Sequence, residues 1–84
     1  MTLRGYAKKY EILNGVGYEY QFDNGYGASV VKHDSSYGGK QGLYEIAVLD
    51  SGGDLCYSTP ITEDVIGYAD EAKVLDTLHR IRML

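Results

Sequence analysis

A chain of 84 residues holds one small domain, residues 1–84, and excludes a second independent core. With 44% hydrophobic and 24% charged residues it matches the average of folded globular domains, which excludes wholesale disorder. One cysteine, Cys56, excludes an internal disulfide, a net charge of −4 distributed without a concentrated basic footprint argues against general nucleic-acid binding, and no apolar run is long enough to cross a membrane.

The opening residues lead into no signal-peptide core, so a cytoplasmic protein is the expectation. Residues 6–13 alternate weakly, with Tyr6, Lys8, Tyr10 and Ile12 on one side, and read as an edge strand that Lys8 and Lys9 protect from edge-to-edge pairing. Asn14-Gly15 is a two-residue hairpin signal. Residues 16–22 then alternate cleanly, with Val16, Tyr18, Tyr20 and Phe22 on one face and Gly17, Glu19 and Gln21 on the other. Asp23-Asn24-Gly25 makes a second turn, residues 26–33 a third strand and residues 34–42 a polar loop. Residues 43–49 form an apolar strand, 50–54 a turn, and 55–59 a short strand halted by Pro60.

Beyond this point the pattern changes. Thr62 is a candidate cap for a first turn through Glu63 and Asp64, interrupted at Gly67-Tyr68, and Asp70 is a second N-cap. Val74, Leu75, Leu78 and Ile81 then follow at helical spacing, with His79, Arg80 and Arg82 complementing the dipole in the last turn. Such a helix can bury its stripe only against the sheet. The expected fold is therefore α+β, an antiparallel β-meander of four to five strands with one C-terminal helix packed on the face of Val16, Tyr18, Tyr20 and Phe22. Nine tyrosines exceed what one covered face holds, which predicts a second, uncovered aromatic face and an association through it, either as a homodimer or with another protein.

No motif carries catalysis. His33-Asp34 are neighbours that a strand points to opposite faces, two histidines and one cysteine give no zinc spacing, and the turn 50–54 lacks a calcium loop. The expectation is a non-enzyme without metal or cofactor. Charge is the stronger signal: residues 43–71 hold seven acids and no Lys or Arg, which suits a basic protein partner. The candidate partner-binding residues are Glu45, Asp50, Asp54, Tyr57, Glu63 and Asp64. The alternative is a small-ligand or nucleic-acid site built on Lys32, Tyr37, Gly38, Gly39 and Lys40, although the loop lacks P-loop spacing and precedes a strand.

The runs Phe22-Asp23-Asn24-Gly25-Tyr26-Gly27-Ala28-Ser29-Val30-Val31, Gly42-Leu43-Tyr44-Glu45-Ile46-Ala47-Val48-Leu49 and Tyr57-Ser58-Thr59-Pro60-Ile61-Thr62, followed by Asp64-Val65-Ile66-Gly67-Tyr68, resemble small uncharacterised proteins of tailed bacteriophages. The resemblance covers residues 18–82 and carries no activity or site residues. It implies a phage context, in which short acidic proteins bind and redirect or block host proteins, defence enzymes among them.

Overall fold

The computed structural model describes residues 3–62 and 64–84. Five antiparallel strands, β1 (Lys8–Ile12), β2 (Gly15–Gln21), β3 (Gly27–Lys32), β4 (Tyr44–Leu49) and β5 (Ile66–Ala69), pair in chain order. One α-helix, α1 (Glu71–Arg82), packs against the sheet, giving the α+β meander that the periodicities predict.

Register explains which residues face the helix. Tyr18 pairs with Val30 and Val30 with Ile46, and on the next rung Tyr20 pairs with Ala28 and Ala28 with Val48. All six are buried and share one cluster with Leu3, Tyr44, Ala69, Val74, Leu78 and Ile81. Val16 and Phe22 flank this cluster, half-buried. The helical stripe differs from the expected one in a single place: Thr77 is fully buried, whereas Leu75 is 42% exposed. Thr77 takes the interior position because its hydroxyl donates to the Lys73 carbonyl one turn back, which satisfies its only polar group within the helix. Asp70 caps the helix by accepting the Lys73 N–H at 2.8 Å.

The other end of α1 is closed by a residue from far away in the chain. Asn24, in the β2–β3 turn, donates its side-chain amide to the carbonyls of Ile81, Arg82 and Leu84 at 2.9, 3.0 and 3.2 Å. Two of these carbonyls, of Ile81 and Arg82, belong to the last turn of the helix, where i+4 backbone donors run out.

The first hairpin departs from the expected turn by one residue. Leu13 and Asn14, with φ of 45° and 61°, form the two-residue loop, and Gly15 is already the first residue of β2, opposite Ile12. A Cβ on Gly15 would lie 1.9 Å from the Lys32 carbonyl oxygen, so glycine is needed inside the strand and the left-handed positions move back by one.

The strands give the second sheet face few rings. Its rungs run Tyr10–Gly17–Val31–Glu45 and Lys8–Glu19–Ser29–Ala47, and Tyr10 is the one ring among them. The expected aromatic face fails because the tyrosines divide differently. Tyr18, Tyr20 and Tyr44 are buried under the helix, Tyr6 packs against Tyr18 and Tyr20, and Tyr26 lies against the core. Tyr6 reaches that side because the chain bends at Ala7, just before β1, which reverses the alternation expected for residues 6–13.

A core this rich in tyrosine leaves one defect among the described residues: the Tyr20 hydroxyl is buried without a hydrogen-bond partner. Burial first, and the neighbouring Tyr18, Tyr6 and Tyr44 hydroxyls second, push its pKa above the ordinary 10.0. The folded state thus holds this proton more tightly than the unfolded chain, so the resulting stability is complete below pH 10.0 and is lost as pH rises beyond it. Tyr20→Phe is expected to stabilise the protein by about 1 kcal/mol at neutral pH, because an unsatisfied buried hydroxyl is removed. The variant's advantage should grow above pH 10.0 in urea titrations, and a Tyr20→Phe protein less stable than wild type at neutral pH would reveal an overlooked partner.

Candidate functional site

The outer edge of β4 is covered in two pieces. Leu55 bridges Leu49 and the Cys56 N–H donates to the Val48 carbonyl, after which the chain leaves the sheet and returns as β5, with Ile66 opposite Ile46 and Ala69 opposite Tyr44. Thus the strand expected over residues 55–59 shrinks to a bridge, and the Gly67-Tyr68 segment expected to interrupt a first helical turn lies in the fifth strand. Pro60 has no N–H to offer a ladder, and Thr59 and Ile61 turn inward to pack instead. Between the two pieces, residues 57–62 and 64–65 leave the sheet, held by the Ile61 N–H to Thr59 Oγ1 and the Asp64 N–H to Thr62 Oγ1.

Opposite the register shift between Tyr44 and Ile46, β5 carries an extra residue, a β-bulge, and Tyr68 sits within it at φ 54°. A non-glycine residue there costs on the order of 1 kcal/mol. The strained backbone leaves the Tyr68 ring 59% exposed. Tyr37 joins it, since the Tyr68 N–H donates to the Tyr37 carbonyl at 3.1 Å and Tyr37 packs over Gly67. Tyr37 is 60% exposed, so the two rings form an open pair at β5, while Tyr57, 48% exposed, and Leu55, 51% exposed, lie in the chain between β4 and β5.

The expected acidic residues separate into two groups. Glu45 accepts the Tyr37 N–H at 3.0 Å, and Asp50 accepts the N–H groups of Gly52 and Asp54 at 2.9 and 3.1 Å, so both carboxylates fasten backbone. Reversing their charge would therefore disturb loops as well as remove acidic surface. The carboxylates of Asp54 and Asp64 accept no hydrogen bond among the described residues and stand exposed in the chain between β4 and β5. Glu63 lies outside the described residues.

The alternative site is not brought together. Lys32 extends over the Tyr44 ring, 4.8 Å from its centroid, on the helix-facing side, whereas Tyr37 and Glu45 meet on the opposite side. Gly38 and Gly42 bracket a 3-10 turn, Gly39–Gln41, in which the N–H groups of Gly39, Gln41, Gly42 and Leu43 all donate to loop carbonyls. Those amides cannot cradle an anion. Lys40 instead borders a shallow depression with Asp34, Ser36 and Tyr68. His33 helps to hold its own loop, since its Nδ1 accepts the Ser35 N–H, while Asp34 accepts from the Asn14 side chain. Among the described residues, no group of three His, Cys, Asp or Glu side chains is placed to hold a metal ion.

Tyr68 is the edge residue that sequence reasoning missed, although Ile66-Gly67-Tyr68-Ala69 does alternate. Among the described residues, no helix is long and apolar enough to cross a membrane. No family model, curated protein or solved structure matches the chain.

Proposed function

We propose that the protein is a non-enzymatic binding module that docks on a basic protein through the β4–β5 edge. The observation that carries this reading is the exposed pair of Tyr37 and Tyr68 at β5, to which the chain between β4 and β5 adds exposed Tyr57, Asp54 and Asp64. Tyrosine is a recurrent interface anchor, and the strain held at Tyr68 has no use in the core, which is the pattern of a site shaped for something outside the domain. The resemblance to phage-encoded proteins makes a host protein the proposed partner and the host cytoplasm the place of action. Blocking or redirecting that partner is the proposed outcome, while nucleic acid is the disfavoured one.

Two variants test the reading by separating encounter from anchoring. Asp54→Lys with Asp64→Lys should slow association with the partner about tenfold at low salt, because rim charges act on encounter. Tyr57→Ala should speed dissociation, costing more than about 1 kcal/mol. The partner is isolated from host lysate on wild-type protein and the rates are measured by surface plasmon resonance. A partner that binds both variants at wild-type rates, or wild-type binding of single-stranded DNA at low micromolar concentration in physiological salt, would sink the proposal. Sedimentation distinguishes a second copy of the chain pairing through the same edge, the homodimer, from a heterologous partner.

A further inference from the structure

On the helix side of the sheet, away from the tyrosine edge, a cavity of about 170 Å³ opens between the N-terminal segment, β2 and α1. Its lining includes three basic side chains, Arg4, His79 and Arg82, and an apolar wall of Phe22, Leu75 and Leu78. Such a concentration is unexpected in a protein of net charge −4. A helix C-terminus alone accounts for bases in the last turn, Arg80 among them, but Arg80 does not line the cavity and Arg4 comes from the other end of the chain. Arg4 is held there because its neighbour Leu3 is only 2% exposed, inserted in the core. The Arg82 guanidinium lies 5.2 Å from the centroid of the Phe22 ring, an arrangement that limits its freedom and leaves its edge for a ligand. Among the described residues no carboxylate lies within ion-pair distance of Arg4, His79 or Arg82.

We infer that this cavity binds a small organic phosphate, a phosphate monoester on a single ring or comparably compact apolar body. Two guanidinium groups match a dianion better than a monoanion, and arginine pairs with phosphate oxygens two at a time. The wall of Phe22 and Leu78, with the otherwise unexplained exposed Leu75, supplies contact for the apolar body. The volume is below that of sites for drug-sized ligands, about 300 Å³ upward, and restricts the guest to one ring. This site is independent of the docking edge and stands or falls apart from it.

The test uses phenyl phosphate, inorganic phosphate and benzoate as probes, followed by NMR shifts of the backbone amides and the Leu75 and Leu78 methyl groups. Phenyl phosphate should saturate these shifts by about 10 mM, the concentration that fills a millimolar site. It should bind at least about tenfold tighter than either other probe, the equivalent of about 1.4 kcal/mol. Arg82→Gln and Arg4→Gln, both at exposed positions, should each weaken phenyl phosphate about tenfold while leaving the far-edge amides of Tyr37 and Tyr68 in place. Equal affinity for inorganic phosphate, equal affinity for benzoate, unchanged affinity in both variants, or no shift at Leu75 and Leu78 would each overturn the assignment.

Discussion

Replacing Ile81 with alanine is expected to lower the unfolding free energy by about 2 to 5 kcal/mol. Ile81 is fully buried, on the same helical stripe as Val74, Thr77 and Leu78, and its truncation leaves a cavity in the middle of the interface between α1 and the sheet. Because Ile81 also gives its carbonyl to Asn24, a shift of the last turn would loosen the cap as well. A single core of this size supplies roughly 3 to 5 kcal/mol, so the variant should be partly or wholly unfolded at room temperature. Urea denaturation followed by circular dichroism checks this, with exposed Leu75→Ala, expected within about 0.5 kcal/mol of wild type, as the comparison. Equal midpoints for Ile81→Ala and wild type would mean that the helix does not hold the sheet as described.

Gly15→Ala should be nearly as damaging, for a different reason. The added methyl group meets the Lys32 carbonyl at 1.9 Å and the His33 Cα at 2.6 Å, both backbone atoms of the neighbouring strand, so relief requires the β2–β3 pair to move apart. The expected loss is about 3 kcal/mol, a fall in Tm of roughly 12 to 24 °C. Gly17→Ala makes an instructive contrast. Its methyl group would come within 2.3 Å of the Tyr10 ring, the far end of a side chain that can swing away, so the cost should be about 1 kcal/mol. Thermal unfolding of the two variants side by side decides the matter, and a Gly17→Ala variant as unstable as Gly15→Ala would mean that the ring of Tyr10 is fixed rather than yielding.

The fold was legible wherever one residue pattern had one explanation. Val16, Tyr18, Tyr20 and Phe22 alternate, β2 forms there, and Asp70 caps α1 as its place before an apolar stripe implies. The turn at Leu13-Asn14 was misplaced because the need for glycine at residue 15 arises from a strand that arrives 17 residues later. β5 escaped because its four residues, Ile66–Ala69, alternate too briefly to stand out beside the Gly67-Tyr68 pair, which reads as an interruption. Leu75 reads as part of the helical stripe on hydrophobicity, and the burial of Thr77 depends on the helix carbonyl that its hydroxyl reaches, which a hydrophobic pattern does not register. Of the candidate site, local charge was legible and its use was not. Glu45 and Asp50 look like docking acids until loop geometry shows them holding N–H groups, while the cavity that Arg4 and Arg82 both line joins distant parts of the chain.

The closure of α1 by Asn24 bears on the order in which the molecule assembles. Every strand pairs with its neighbour in sequence, so the sheet can zip up hairpin by hairpin at small entropic cost. The contact from Asn24 to Ile81 spans 57 residues, and closing such a loop in an unstructured chain costs on the order of 3 to 4 kcal/mol. Once the meander exists that cost has already been met, and the 12-residue helix, marginal on its own, gains both its template and its cap together. Docking of the helix is therefore the late step. During synthesis the apolar face of Tyr18, Val30 and Ile46 must wait uncovered until α1 has cleared the ribosome, and that interval is when a nascent copy is most exposed to aggregation or to capture by a chaperone.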